Sequence, residues 1–161
     1  MKTATARASD TQWLDEPQQR AWRAFLGGQT VLFHQLDRDL RTRHDLSMPE
    51  YEIFVRLSEA PDRRLRMAEL ADAVAHSRSR VTHTISRLES AGLVERVACP
   101  EDGRGVVAGL TAKGFRALEQ AAGTHVDGVR DYLIDNASPE ELAALERVFE
   151  RVRARLGGSR F

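Results

Sequence analysis

The chain is short of cysteine, of lysine, of long apolar runs and of net charge, and each shortage excludes something. Its one cysteine, Cys99, closes no internal disulfide, which argues against a cross-linked secreted scaffold and fits a reducing cytoplasm. No apolar run approaches the ~20 residues that a membrane-spanning helix needs. The stretch from Met1 to Asp10 carries no hydrophobic segment behind its charges, so it reads as a disordered tail, expected over residues 1–14, and not as a secretory signal. Lysine plus arginine number 24 and so do aspartate plus glutamate. Any affinity for nucleic acid must therefore come from a local concentration of cations.

Chemistry-bearing constellations are missing too. No glycine-rich phosphate loop, nucleophile elbow or pair of carboxylates at catalytic spacing is visible, and Gly103-Arg104-Gly105 falls in a hairpin tip. The histidines His34, His44, His76, His83 and His125 are scattered, with no ligand spacing on one helix. Neither an enzyme nor a bound metal or cofactor is expected. Cys99 has only the distant Arg96 and Arg104 to lower its pKa, so it reads as an inert small residue, with a redox switch as the lesser alternative.

What is present is a 161-residue chain, 42% apolar and 30% charged, enough for one soluble domain with a real core. Only Lys2 and Lys113 are lysines, leaving 22 arginines. That bias suits bidentate recognition of bases and equally reflects a coding preference. Most of the chain has helical periodicity. A first helix is expected over about residues 17–43, with Asp15 as its cap and Trp22, Phe25, Leu32, Leu36 and Leu40 near one stripe. Ser47 with Glu50 three positions on forms a capping box for a second helix, which Ala60-Pro61-Asp62 stops. A short third helix is expected over about 67–74. A fourth runs from Ser77 to Ala91, with Gly92 as a left-handed stop.

Two β-like runs, about 93–97 and 106–110, flank a turn-rich loop and read as a hairpin. A fifth helix follows Thr111 to about Asp135, and a last one opens at the capping box Ser138-Pro139-Glu140-Glu141. Leu142, Leu145, Phe149, Val152 and Leu156 then recur at spacings of 3, 4, 3 and 4. This seam either packs on its own domain or seeks a partner helix. The expected class is mainly α with a small β-hairpin (α+β): a helix-turn-helix followed by a wing.

The fourth helix carries the candidate reading face. At ~100° per residue, Val81, Ile85 and Leu88 cluster on one side. Ser79, His83, Ser86 and Ser90 fall opposite, flanked by Arg80, Thr82 and Arg87, with Ser77 and Arg78 at the helix start. No acid interrupts the face before Glu89. Small hydroxyls let a helix approach base edges, arginine binds the O6/N7 edge of guanine, and a capped helix N-terminus favours phosphate. Taken by itself the helix is also compatible with an idle basic surface.

The hairpin decides between these. Asp102-Gly103-Arg104, five residues, then Leu110-Thr111 resembles the wing signature Asp-x-Arg-x5-Leu-Thr of the MarR family of bacterial transcriptional regulators. The stretch from Ser77 to Arg96 is similar to that family's recognition helix and first wing strand, and the likeness extends over about residues 22–156. The resemblance implies that Arg104 enters the minor groove, oriented by Asp102. It implies that residues 15–45 and 112–161 form dimerisation helices around a winged helix-turn-helix of residues 46–111. It further implies a homodimer on a near-palindromic operator of double-stranded DNA, most often as a cytoplasmic repressor released by a small phenolic or anionic effector.

Two departures stand out: Ala75-His76 fills the turn where relatives commonly have glycine and an aliphatic residue, and Glu101 makes the wing less basic. Trp13, Trp22, Phe25, His34, His44, Tyr51 and Arg56 are of types that line effector pockets, although aromatics at helical spacing are more often core. The alternative function is a winged-helix protein-interaction module that no longer binds DNA.

Overall fold

A computed structural model describes residues 11–74, 77–98 and 105–157. Helix α1 (Glu16–His44) opens on Asp15, whose carboxylate accepts from the Gln18 N–H at 2.8 Å while the Gln18 side chain accepts from the Asp15 N–H at 3.0 Å. It closes at Asp45 in the left-handed region (φ 52°). Helix α2 (Met48–Glu59) follows Ser47, as the capping box predicts. A single 3-10 turn at Pro61–Arg63 leads into a short strand β1 (Arg64–Arg66), then into α3 (Met67–Ala73) and α4 (Arg78–Ser90).

Gly92 ends this helix pair at φ 71°, and its N–H donates to the Glu89 carbonyl at 2.9 Å. Only a residue without Cβ adopts that geometry at no steric cost. Strands β2 (Val94–Ala98) and β3 (Val106–Leu110) form the expected hairpin. The sheet has a third member, in the order β1-β3-β2, all antiparallel, with Leu65 opposite Ala108.

Helix α5 (Ala112–Tyr132) is shorter than expected. The chain leaves it at Leu133 for a 3-10 turn, where Asn136 Nδ2 donates to the Asp131 carbonyl (2.6 Å) and Arg130 pairs with Asp135 (2.7 Å). Side chains thus satisfy the helix end that a further turn of α-helix would have used. Helix α6 (Pro139–Leu156) starts at Ser138, and Ser138 and Glu141 complete the second capping box.

One apolar core lies between α2, α3, α4 and the sheet. Phe54, Leu57, Leu70, Ile85 and Ala108 are fully buried, and Leu40 of α1 and Ala121 of α5 join them. The start of α5 is sewn to the end of α4. Thr111 Oγ1 donates toward the Gly92 carbonyl (2.9 Å) and accepts from the Gly114 N–H (3.0 Å). At Gly114 a Cβ would run into the Leu93 carbonyl oxygen, so a glycine is required there by close approach. No helix among the described residues is long and apolar enough to cross a membrane.

Candidate nucleic-acid interface

Helix α4 is held from behind by Val81, Ile85 and Leu88, all buried, as the periodicity predicts. Its outer side is presented by the same packing. Ser77, Arg78, Ser79, Arg80, Thr82 and His83 are exposed and Ser86 is half-buried. Ser77 caps the helix, its Oγ accepting from the Arg80 N–H at 3.4 Å. The hydroxyls along the face are back-bonded: Thr82 Oγ1 donates to the Arg78 carbonyl (2.8 Å), Ser86 Oγ to that of Thr82 and Ser90 Oγ to that of Ser86, both 2.9 Å.

The acids around this face are paired away. Glu89 takes the Arg96 guanidinium of β2 through Nε at 2.9 Å, and its carboxyl is held below the ordinary range, chiefly by that hydrogen bond. Glu95 pairs with Arg64 of β1 at 2.7 Å. Glu50 of α2 pairs with Arg87 of α4. Arg87, expected at the flank of the reading face, is therefore tethered to the domain's interior. Sequence reasoning saw Glu50 only as a capping residue. Its second partner lies on another helix and leaves no local signal.

Two further arginines were missed. Arg66 and Arg96 join Arg78 and Thr82 around one cleft of about 410 Å³, between the start of α4 and the edge of the sheet. The Arg64-Leu65-Arg66 alternation was the available signal, too short to be read as a strand. Asp102 and Arg104, with Cys99 and the turn Ala75-His76, lie outside the described residues. Strands β2 and β3 lead to and from the segment that holds Cys99, Asp102 and Arg104.

A second concavity, about 680 Å³, lies where α1, α2 and α5 meet. Of the aromatic and cationic residues singled out above, His34, Tyr51 and Arg56 line it, joined by Asp37 and His125. The Tyr51 and His125 rings stand 4.6 Å apart. Burial pushes the Tyr51 hydroxyl pKa up and the His125 pKa down, and His125 Nδ1 meets no hydrogen-bond partner among the described residues. Burial also raises the Asp37 carboxyl, but hydrogen bonds from Arg41 and from the Met48 N–H (2.8 Å) win and hold it below its ordinary value. The other singled-out residues are elsewhere. His44 bonds Thr124 Oγ1 (2.8 Å), Trp13 is largely exposed, and the rings of Trp22 and Phe25 meet at a tilt along the outside of α1.

That outer side of α1 continues onto α6. Phe25 meets Phe149 with ring centroids 5.4 Å apart, while Trp22, Leu145, Val152 and Leu156 stay exposed. Helix α6 buries no side chain.

This order of elements, with a basic helix behind a hairpin and long helices at both ends, recurs in known proteins. A family model described as MarR family matches residues 44–105. The chain is similar to AbsC, a MarR family transcriptional regulator from Streptomyces coelicolor, at 41% identity and a TM-score of 0.86, over 92% of this chain and 100% of that one. It is similar to Sco3205, a MarR family transcriptional regulator of the same organism solved in complex with DNA, at 38% identity and a TM-score of 0.86, over 89% of each chain. Among curated proteins it resembles the HTH-type transcriptional regulator PecS of Dickeya dadantii (strain 3937), 29% identical over 121 residues, 74% of this chain and 72% of that protein. With this fold, and at this identity over nearly the whole length, the chain belongs to the MarR family of transcriptional regulators.

Proposed function

We propose that this regulator is a cytoplasmic repressor that binds a near-palindromic operator in double-stranded DNA as a homodimer and lets go when a small molecule occupies the α1–α2–α5 cavity. The observation that carries the reading is the outer face of α4, exposed, built of hydroxyls, histidine and arginine, and with its neighbouring acids neutralised. Ser77, Arg78, Ser79, Arg80, Thr82, His83 and Ser86 enter the major groove, Arg78 and Arg80 reading guanine, and Arg87 stands at the flank. Asp102 and Arg104 supply the minor-groove contact of the wing, where a narrow groove concentrates negative potential.

Dimerisation is assigned to residues 15–45 and 112–161, because the apolar stripe of α1 and α6 needs cover. A two-fold dimer places two copies of α4 about one helical turn apart, which is why the operator should be palindromic. The effector is phenolic or anionic. Tyr51, His34 and Arg56 meet it in a cavity whose other lining residues include Phe33, Met48, Pro49 and Val55 and the carboxylates Asp37, Glu52 and Glu59.

The test selects sites from random duplex DNA and then measures affinity for the enriched site at two salt concentrations, with Arg104→Ala alongside. A near-palindrome bound by a dimer, weakened by salt and by Arg104→Ala, supports the reading. Weak, unselective binding that ignores Arg104 would favour a winged-helix interaction module instead.

A further inference from the structure

We propose that Glu50 is a positioning residue for DNA reading: it holds Arg87 at the flank of α4 and cancels its charge, so that this arginine does not act as a general phosphate contact. The inference rests on the DNA-binding reading above and goes beyond it, because Glu50 lies on α2 and faces no DNA.

Glu50 is 2% exposed, and it is the charged side chain that the core buries among the described residues. A buried carboxylate is costly unless every oxygen is met. Here both are. Oε2 accepts from the Ser47 N–H at 2.8 Å and from the Ser47 hydroxyl at 2.6 Å, while Oε1 faces the Arg87 guanidinium. The Arg87 side chain remains 57% exposed, so its stem crosses the rim of the reading face while its head is turned toward α2.

A plain capping glutamate would sit in water and need no arginine. This one is seated so that the recognition helix can dock on α2 only with Arg87 in one place. The same first turn of α2 carries Met48, Pro49 and Tyr51, which line the cavity at the α1 junction, and the Met48 N–H is bonded to Asp37 there. The pair thus ties the reading helix to the turn that borders the proposed effector site.

An unheld arginine beside a DNA groove finds phosphate on any sequence, and each phosphate neutralised steepens the dependence of log affinity on log salt by about 0.9. Holding Arg87 therefore favours discrimination over raw affinity. The experiment measures that slope by fluorescence anisotropy on the enriched operator and on a scrambled duplex. It uses the full-length wild type, Glu50→Gln, which keeps the Ser47 contacts but loses the charge, and Glu50→Gln/Arg87→Met, in which neither charge remains.

Glu50→Gln frees two arginines per dimer and should steepen the slope by about 1.8, so that affinity falls roughly 12-fold more than in the wild type between about 50 and 200 mM salt. The affinity ratio of operator to scrambled duplex should narrow with it. The double variant should return to the wild-type slope. An unchanged slope in Glu50→Gln, which would mean that the freed Arg87 gains no phosphate, or a double variant shallower than wild type by about 1.8, which would mean that Arg87 was a phosphate contact all along, overturns the proposal. A merely structural Glu50 would lower the melting temperature and leave the slopes alone. If Glu50→Gln does not fold, the double variant decides by itself. Wild type that selects no site overturns this proposal together with the regulator reading, whereas selective wild-type binding with unmoved slopes overturns this proposal alone.

Discussion

Between Leu46 and Leu110, α2, α3, α4 and strands β2 and β3 bury side chains around Phe54, Leu57, Leu70 and Ile85, with Leu65 of β1 partly buried against them. The terminal helices are longer and bury less for their length: α1 contributes Leu36 and Leu40, α5 contributes Leu118 and Ala121, and α6 contributes nothing. The two regions differ in what completes them. The reading region supplies most of its own core, completed by Leu40 of α1 and by Leu118 and Ala121 of α5, so its shape is specified before it meets DNA. The terminal region has hydrophobic residues at regular spacing and leaves Trp22, Leu145, Val152 and Leu156 (77% exposed) in water. Apolar stripes of that kind mark association surfaces. On the proposed function, one half reads and the other is finished by a second molecule.

That contrast can be broken from either side. The largest effect is expected in the reading core. Phe54→Ala should cost about 3–5 kcal/mol of unfolding free energy, measured by urea denaturation, because Phe54 is fully buried. A loss under about 1 kcal/mol would show that the core is not closed as described.

Charges on the seam should act differently. Leu145→Glu with Val152→Glu should yield monomers by sedimentation and lower operator affinity by at least about 100-fold, since two linked half-site contacts become one. A variant that stays dimeric would remove α6 from the interface.

Gly114→Ala tests the joint between the regions. The added methyl meets the Leu93 carbonyl, and the expected cost is about 1–3 kcal/mol in the same denaturation assay. No change would mean that α5 shifts freely on the sheet.

The smallest effect is a pH dependence at the junction. Burial lowers the His125 pKa from its ordinary 6.5, so the neutral ring is the form the fold favours. Its contribution to stability is present above pH 6.5 and is lost as pH falls through the lower folded value. Melting temperatures of wild type and His125→Phe at about pH 7.5 and pH 5 check this. The wild type should lose more on acidification, and equal losses would contradict it. Asp37, also lowered, titrates below its ordinary 3.8 and stays out of that window.

Local chemistry explains how much of this was legible in the sequence. Asp15, Ser47 and Ser138 announce three helix starts and Gly92 a stop, because capping is decided by residues three or four apart. The stripe Val81, Ile85, Leu88 gave the orientation of α4 for the same reason. Strand β1 was not legible. Three residues carry too little pattern, and its partner β3 lies far along the chain. The tether between Glu50 and Arg87 was hidden likewise, since each residue has an adequate local explanation. The α1–α2–α5 cavity draws on three helices, and only their packing brings His34, Tyr51 and His125 to one wall.

The back-bonded hydroxyls of α4 have a consequence for the bases opposite them. Thr82, Ser86 and Ser90 each spend their proton on a helix carbonyl, which leaves lone pairs facing outward. Such oxygens accept and do not donate, and in the major groove the donors are the amino groups of adenine and cytosine. In the proposed role, Arg78 and Arg80 ask for the complementary pattern, the acceptor edge of guanine. The helix thus divides its labour by direction of hydrogen bonding. On the proposed contacts, a half-site sets guanine opposite Arg78 and Arg80 and amino-bearing bases opposite the hydroxyls that follow them, a grammar that replacing those hydroxyls by donors would rewrite.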